Sequence, residues 1–133
     1  MKELDECLRI YKEIRKIDDK IETLRAAILS PKNQVITGMP RGGNSDNAIE
    51  KYLLKLERHN KRKAKLIKNQ AEQWQQAKCK FKNDISAQET KMLYMRFVLG
   101  YQWKKCAVKL QKEYGNWNIN KCFRIYGKIN EKF

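Results

Sequence analysis

Asn118, Asn120, Lys121, Arg124 and Lys128 are the residues of this 133-residue chain whose types and spacing point most directly to chemistry. The chemistry is donation. Amide, ammonium and guanidinium groups offer N–H bonds to phosphate oxygens and to the acceptor edges of bases. Interleaved with them are Cys122, Ile125, Ile129 and Phe133, which repeat at offsets of three and four. In a helix those four form one buried stripe, and the donors point elsewhere. A helix that presents such donors from its N-terminal half suits the major groove of duplex DNA.

Three short helices are needed to hold these residues. The first opens at Ser86, where Ser-Ala-Gln-Glu reads as a capping box: the Ser86 hydroxyl accepts from the Glu89 N–H while the Glu89 carboxylate reaches back. Met92, Leu93, Met95, Phe97 and Val98 supply its apolar faces, and Gly100 ends it. The second runs from about Trp103 to Glu113. Trp103, Cys106, Ala107 and Leu110 lie on one face, with Lys104, Lys105, Lys109 and Lys112 on the other; Lys104 and Lys105 join the candidate DNA contacts. Gly115 and Asn116 break it, and Asn118 is a good N-cap for the third. The bland alternative is an ordinary three-helix bundle with a solvated basic face, and basic charge also fits RNA or an anionic membrane.

The charge is unevenly placed. The net charge is +15, but residues 1–37 carry 8 basic and 7 acidic groups, residues 38–85 carry 12 and 5, and residues 86–133 carry 10 and 3. The near-neutral first third suits a protein partner, and the remainder suits a phosphate backbone. In the first third, Cys7, Ile10, Ile14, Ile17, Ile21, Leu24 and Ile28 step by three and four without a miss, the seam of a coiled coil over residues 2–29. That seam predicts pairing, either with a second helix of the same chain or with another copy, and so a homodimer or other homo-oligomer through the N-terminal helices.

Pro31 disfavours a helix at Ser30, and residues 30–45 read as a loop rich in Gly, Asn and Ser. Arg41, beside consecutive glycines, is a candidate backbone or partner contact. A second long helix is expected from about Asp46, with Leu53, Asn60, Ile67, Trp74 and Phe81 recurring every seven residues as its seam, and Ile49, Leu56, Ala64, Ala71 and Ala77 flanking them. Within it Lys61, Arg62, Lys63 and Lys65 form the most basic run, either a solvated face or a phosphate contact. The expected fold is all-α: a long antiparallel helical hairpin over residues 1–84, a coiled-coil-like arm, followed by a three-helix domain over 85–133.

Several classes have little support. Four cysteines form no C-x-x-C, and the one histidine lies on another segment, so no metal site is expected; Cys7, Cys106 and Cys122 read as small buried hydrophobes and Cys79 as exposed. Nucleophile-elbow, P-loop and zinc-protease patterns are missing, so neither enzyme activity nor a cofactor is expected. No stretch approaches the roughly 20 apolar residues of a membrane span, and the N-terminus is unlike a secretory signal. A soluble cytoplasmic protein, with no membrane contact, is the expectation.

Motifs in the second half resemble a known family. Arg96-Phe97, the step from Gly100 and Tyr101 into Trp103-Lys104-Lys105-Cys106-Ala107, and the run Cys122 to Asn130 are similar to the region-4 helix-turn-helix of sigma-70-type factors, as carried by small phage proteins of low-GC Gram-positive bacteria. Upstream, Gly38-Met39-Pro40-Arg41-Gly42-Gly43 resembles the GMPRG-type loop of the same proteins, which include late-gene transcription regulators of the ArpU and RinA kind. The likeness covers about Leu29 to Phe133. Lys104 and Lys105 stand where that family usually has acidic residues, and the turn from Gln111 to Trp117 is longer than usual. The resemblance implies a phage or prophage regulator that binds double-stranded promoter DNA and contacts host RNA polymerase. Two alternatives stay open: a DNA-packaging protein like a terminase small subunit, and a helical adaptor for a host protein.

Overall fold

The computed structural model describes residues 1–29 and 42–133, with side chains of the second helix described from Ala48 onward. The fold is all-α. Among the described residues there are five helices, α1 (Lys2–Ile28), α2 (Gly42–Phe81), α3 (Ala87–Phe97), α4 (Trp103–Tyr114) and α5 (Ile119–Lys132), and no strand. None of these helices is long and apolar enough to cross a membrane. The Gly38–Arg41 part of the loop signature lies outside the described residues. Gly42 and Gly43 fall inside α2, which starts four residues before the expected Asp46. Extending a helix that already exists adds one hydrogen bond per residue fixed, which offsets the poor propensity of those glycines.

The chain forms two compact units, Met1–Lys12 with Ile67–Phe133, and Glu13–Leu66. The expected division at residue 84 is therefore displaced. Helices of 11, 12 and 14 residues cannot bury enough apolar surface by themselves, so the ends of both long helices complete their core. Leu4, Cys7, Trp74, Ala77 and Phe81 join Met92, Leu93, Met95, Phe97, Cys106, Ala107, Leu110, Trp117, Cys122 and Ile129 in one cluster. In this unit α1 and α2 run antiparallel: Glu3 pairs with Lys80, and the thiol of Cys7 donates to the Gln70 carbonyl at 3.7 Å. Gln70 is only 7% exposed, and its side-chain amide donates both to the Cys7 carbonyl (3.1 Å) and to the Val98 carbonyl (3.2 Å).

Caps fix the short helices as expected. The Glu89 N–H donates to Ser86 Oγ at 3.2 Å, and the Lys121 N–H donates to Asn118 Oδ1 at 2.8 Å. The reciprocal half of the first cap differs, because the Glu89 carboxylate accepts from the Ser86 hydroxyl (3.3 Å) instead of the backbone. Gly100 has φ of +73°, and the Tyr101 N–H reaches back six residues to the Met95 carbonyl at 2.9 Å, satisfying a carbonyl in the last turn of α3. A side chain on Gly100 would run into the Tyr11 ring.

In the second unit the α1 seam behaves as read: Ile17 and Ile21 are buried, and Ile14, Leu24 and Ile28 are half-buried. The two helices again run antiparallel, with Lys63 Nζ 2.6 Å from Asp18 Oδ1. Within this unit the stripe faces the second helix of the same chain. The α2 seam needs correction. Leu53 and Ile67 are 49% and 48% exposed, and Asn60, Ala64 and Ala71 are exposed too. The face turned inward within this unit is Ile49, Tyr52, Leu56, His59, Lys63 and Leu66. A strict seven-residue step drifts by about 20° per heptad on a straight helix, so a line begun at Leu53 ends roughly 80° away at Phe81. Trp74 and Phe81 fall inward, in the other unit, whereas the earlier members of the line do not.

Candidate nucleic-acid interface

The unit built on α3–α5 carries 17 basic and 8 acidic residues, net +9. Within it α4 and α5 pack on each other across the turn at Gly115–Asn118, and both pack on α3. Asn116 holds φ of +59° in that turn, Trp117 is buried beneath it, and the Trp117 indole N–H donates to Gln88 Oε1 at 3.3 Å. The turn is therefore rigidly seated, and with it the N-terminus of α5.

The expected contact residues divide by what they do. Asn118 is committed to capping α5. Lys121 is half-buried: its ammonium lies over the Trp117 ring at 4.4 Å and donates to the Asn116 carbonyl at 3.2 Å. Asn120 and Arg124 are exposed and make no hydrogen bond or ion pair among the described residues. Lys128 is exposed but lines a small cleft with Asp84 and Glu89, whose carboxylates temper its field; Asp84 is already bonded to Lys132 at 2.6 Å. On α4, Lys104 and Lys112 flank a shallow groove of about 410 Å³ floored by Ala107, Val108, Trp117 and Ile119, so Lys104 and Asn118 do share one surface. Lys105 instead sits over the Tyr101 ring at 4.2 Å, beside Lys109 at 4.9 Å.

No protein-family model, curated protein or solved structure matches the chain. The chemistry therefore has to be read from the side chains themselves. Burial pushes the thiols of Cys7 and Cys106 up to about 11 and raises that of Cys122, so these cysteines are neutral packing groups without thiolate reactivity. Cys79 is exposed, as expected. Burial also raises the Tyr126 phenol. The cations and amides exposed on α4 and α5, Lys104, Asn120 and Arg124 among them, can bind and orient an anion.

The basic run of the second unit is less available than its composition suggests. Lys63 is turned inward to Asp18, and Lys61 is paired with Glu57 at 3.3 Å on its own helix. Arg62 and Lys65 are exposed. Arg41 lies outside the described residues.

Sequence reasoning missed two residues on the outward side of α5. Phe123 is 48% exposed, and Gly127 has open space where a Cβ would stand. An aromatic off the apolar stripe and a glycine inside a helix were the signals that could have found them.

Proposed function

We propose that the α4–turn–α5 pair is a helix-turn-helix that binds double-stranded DNA, with α5 as the reading helix, in a transcription regulator of the phage type. The observation that carries this reading is the outward face of α5. Among the described residues the side chains of Asn120 and Arg124 make no hydrogen bond or ion pair, and they stand on a helix whose other face is anchored by Cys122 and Ile129. Free donors on a rigid helix, surrounded by net positive charge, are what base and phosphate recognition requires. The likeness of Arg96-Phe97, the Trp103 step and the Cys122–Asn130 run to sigma region 4 supports the same assignment and extends it to promoters and RNA polymerase.

Arg124→Ala is expected to weaken binding to a preferred duplex by about 1–3 kcal/mol and to relax sequence preference, as loss of a base contact does. Lys128→Ala is expected to weaken all sequences alike and to flatten the salt dependence by about one unit of slope. Fluorescence anisotropy on a selected duplex and on random duplex, at several salt concentrations, checks both. If both variants stay folded and bind like the wild type, α5 is not the reading helix, and Arg62 with Lys65 becomes the better candidate. Promoter footprinting separates this reading from a packaging role, which calls for a site elsewhere.

A further inference from the structure

The outward face of α5 is not uniformly polar. At about 100° per residue, Phe123, Gly127, Asn120 and Arg124 fall in that order over an arc of roughly 100°, opposite the Cys122–Ile129 stripe. Phe123 is a fixed knob. Its ring meets Trp103 edge-on at 5.9 Å, and Trp103 is itself held against Tyr126 (5.3 Å), Phe97 (6.0 Å) and the Arg96 guanidinium (5.5 Å). An exposed aromatic backed by a rigid stack keeps one orientation and loses little freedom on contact.

Gly127 stands one turn further along the same side. It disfavours the helix, and nothing inside the protein requires it: a Cβ there would meet open space. Its use is therefore outward, where the bare backbone lets a partner come close. The partner must tolerate the cations beside this patch on α5, Arg124 and Lys128, in a unit of net charge +9, which favours a polyanion over an apolar protein surface. In the major groove of a duplex, the apolar group offered by a base edge is the C5-methyl of thymine.

We propose that Phe123 packs on thymine methyl groups in the major groove, with Gly127 providing the clearance, so that the preferred duplex carries thymine at the step facing Phe123. This rests on the helix-turn-helix reading and adds a specificity determinant to it. The test begins with the duplex recovered by the wild-type protein from a random-sequence pool. That duplex is remade with uracil for thymine, position by position, which deletes one methyl and keeps the hydrogen-bonding pattern. The wild type is expected to lose about threefold to fivefold in affinity at one or two positions, the worth of one buried methyl. Phe123→Ala is expected to bind more weakly and to be indifferent to the swap at those positions, while Phe123→Leu keeps the sensitivity. Gly127→Ala is expected to raise the melting temperature and yet lower affinity, a combination that a purely structural glycine would not give. If uracil is tolerated everywhere, or Phe123→Ala stays as sensitive as the wild type, the proposal is overturned while Arg124→Ala still reports on the helix-turn-helix. If the pool yields no preferred duplex, both readings fall together.

Discussion

Gly100→Ala is expected to destabilise the α3–α5 unit by about 2–3 kcal/mol, roughly 10–20 °C in melting temperature for a unit of this size. Two separate costs add. Alanine at φ of +73° is forced into the left-handed region, worth about 1 kcal/mol or somewhat more. The new methyl also runs into the Tyr11 ring, which must leave its half-buried position. The two can be separated by a cycle with Tyr11→Ala. The double variant is expected to be less destabilised than the sum of the singles, because the clash is gone, while the backbone cost stays. Thermal and urea unfolding followed by circular dichroism measure all three. A Gly100→Ala protein as stable as the wild type would mean that neither the left-handed backbone nor the Tyr11 ring restricts this position.

The second large effect belongs to the hairpin seam. Ile17→Asp with Ile21→Asp puts two carboxylates where both isoleucines are 5% exposed, at a cost of several kcal/mol. A two-helix unit has little stability in reserve, so residues 13–66 are expected to lose most of their helical signal at neutral pH. Burial raises the value of each new carboxyl above that in the unfolded chain. Folding then takes up protons, and part of the lost stability returns as pH falls through the raised value. Leu53→Asp is the control: it lies on the exposed line, and it is expected to change stability by less than about 0.5 kcal/mol. Unfolding curves at neutral and acid pH decide. Equal damage from Leu53→Asp would restore the seven-residue seam that the fold contradicts.

These two sites also show what was legible in the sequence. The α1 seam and the caps at Ser86 and Asn118 were readable because each is a local pattern in which spacing alone decides the face. The α2 face was not. His59, Lys63 and Gln70 occupy inward positions that a count of apolar residues leaves out, and the partners of Lys63 and Gln70, Asp18 and the Cys7 and Val98 carbonyls, are distant in sequence. The limits of the α3–α5 unit were hidden for the same reason, since Leu4 and Cys7 join it from the far end of the chain. Among the candidate contacts, residue type pointed to Asn118 and Lys121, but local geometry uses the first as a cap and stacks the second on Trp117. Arg124 and Asn120 kept the exposure that spacing gave them. Phe123 and Gly127 were passed over because neither is a donor.

The pair of bonds from Gln70 has a bearing on how the protein is made. Its one amide joins a carbonyl 63 residues earlier to another 28 residues later. The unit that carries α5 is therefore discontinuous, with residues 13–66 inserted between its first strip and the rest. On the ribosome the first twelve residues emerge well before their packing partners. They must wait, as one strand of an unfinished hairpin, until α2 and the short helices follow. Joining such distant parts carries a loop-closure cost that local helices do not. The face of α5 would then be presented only by a chain whose residues 1–12 and 67–133 have already met.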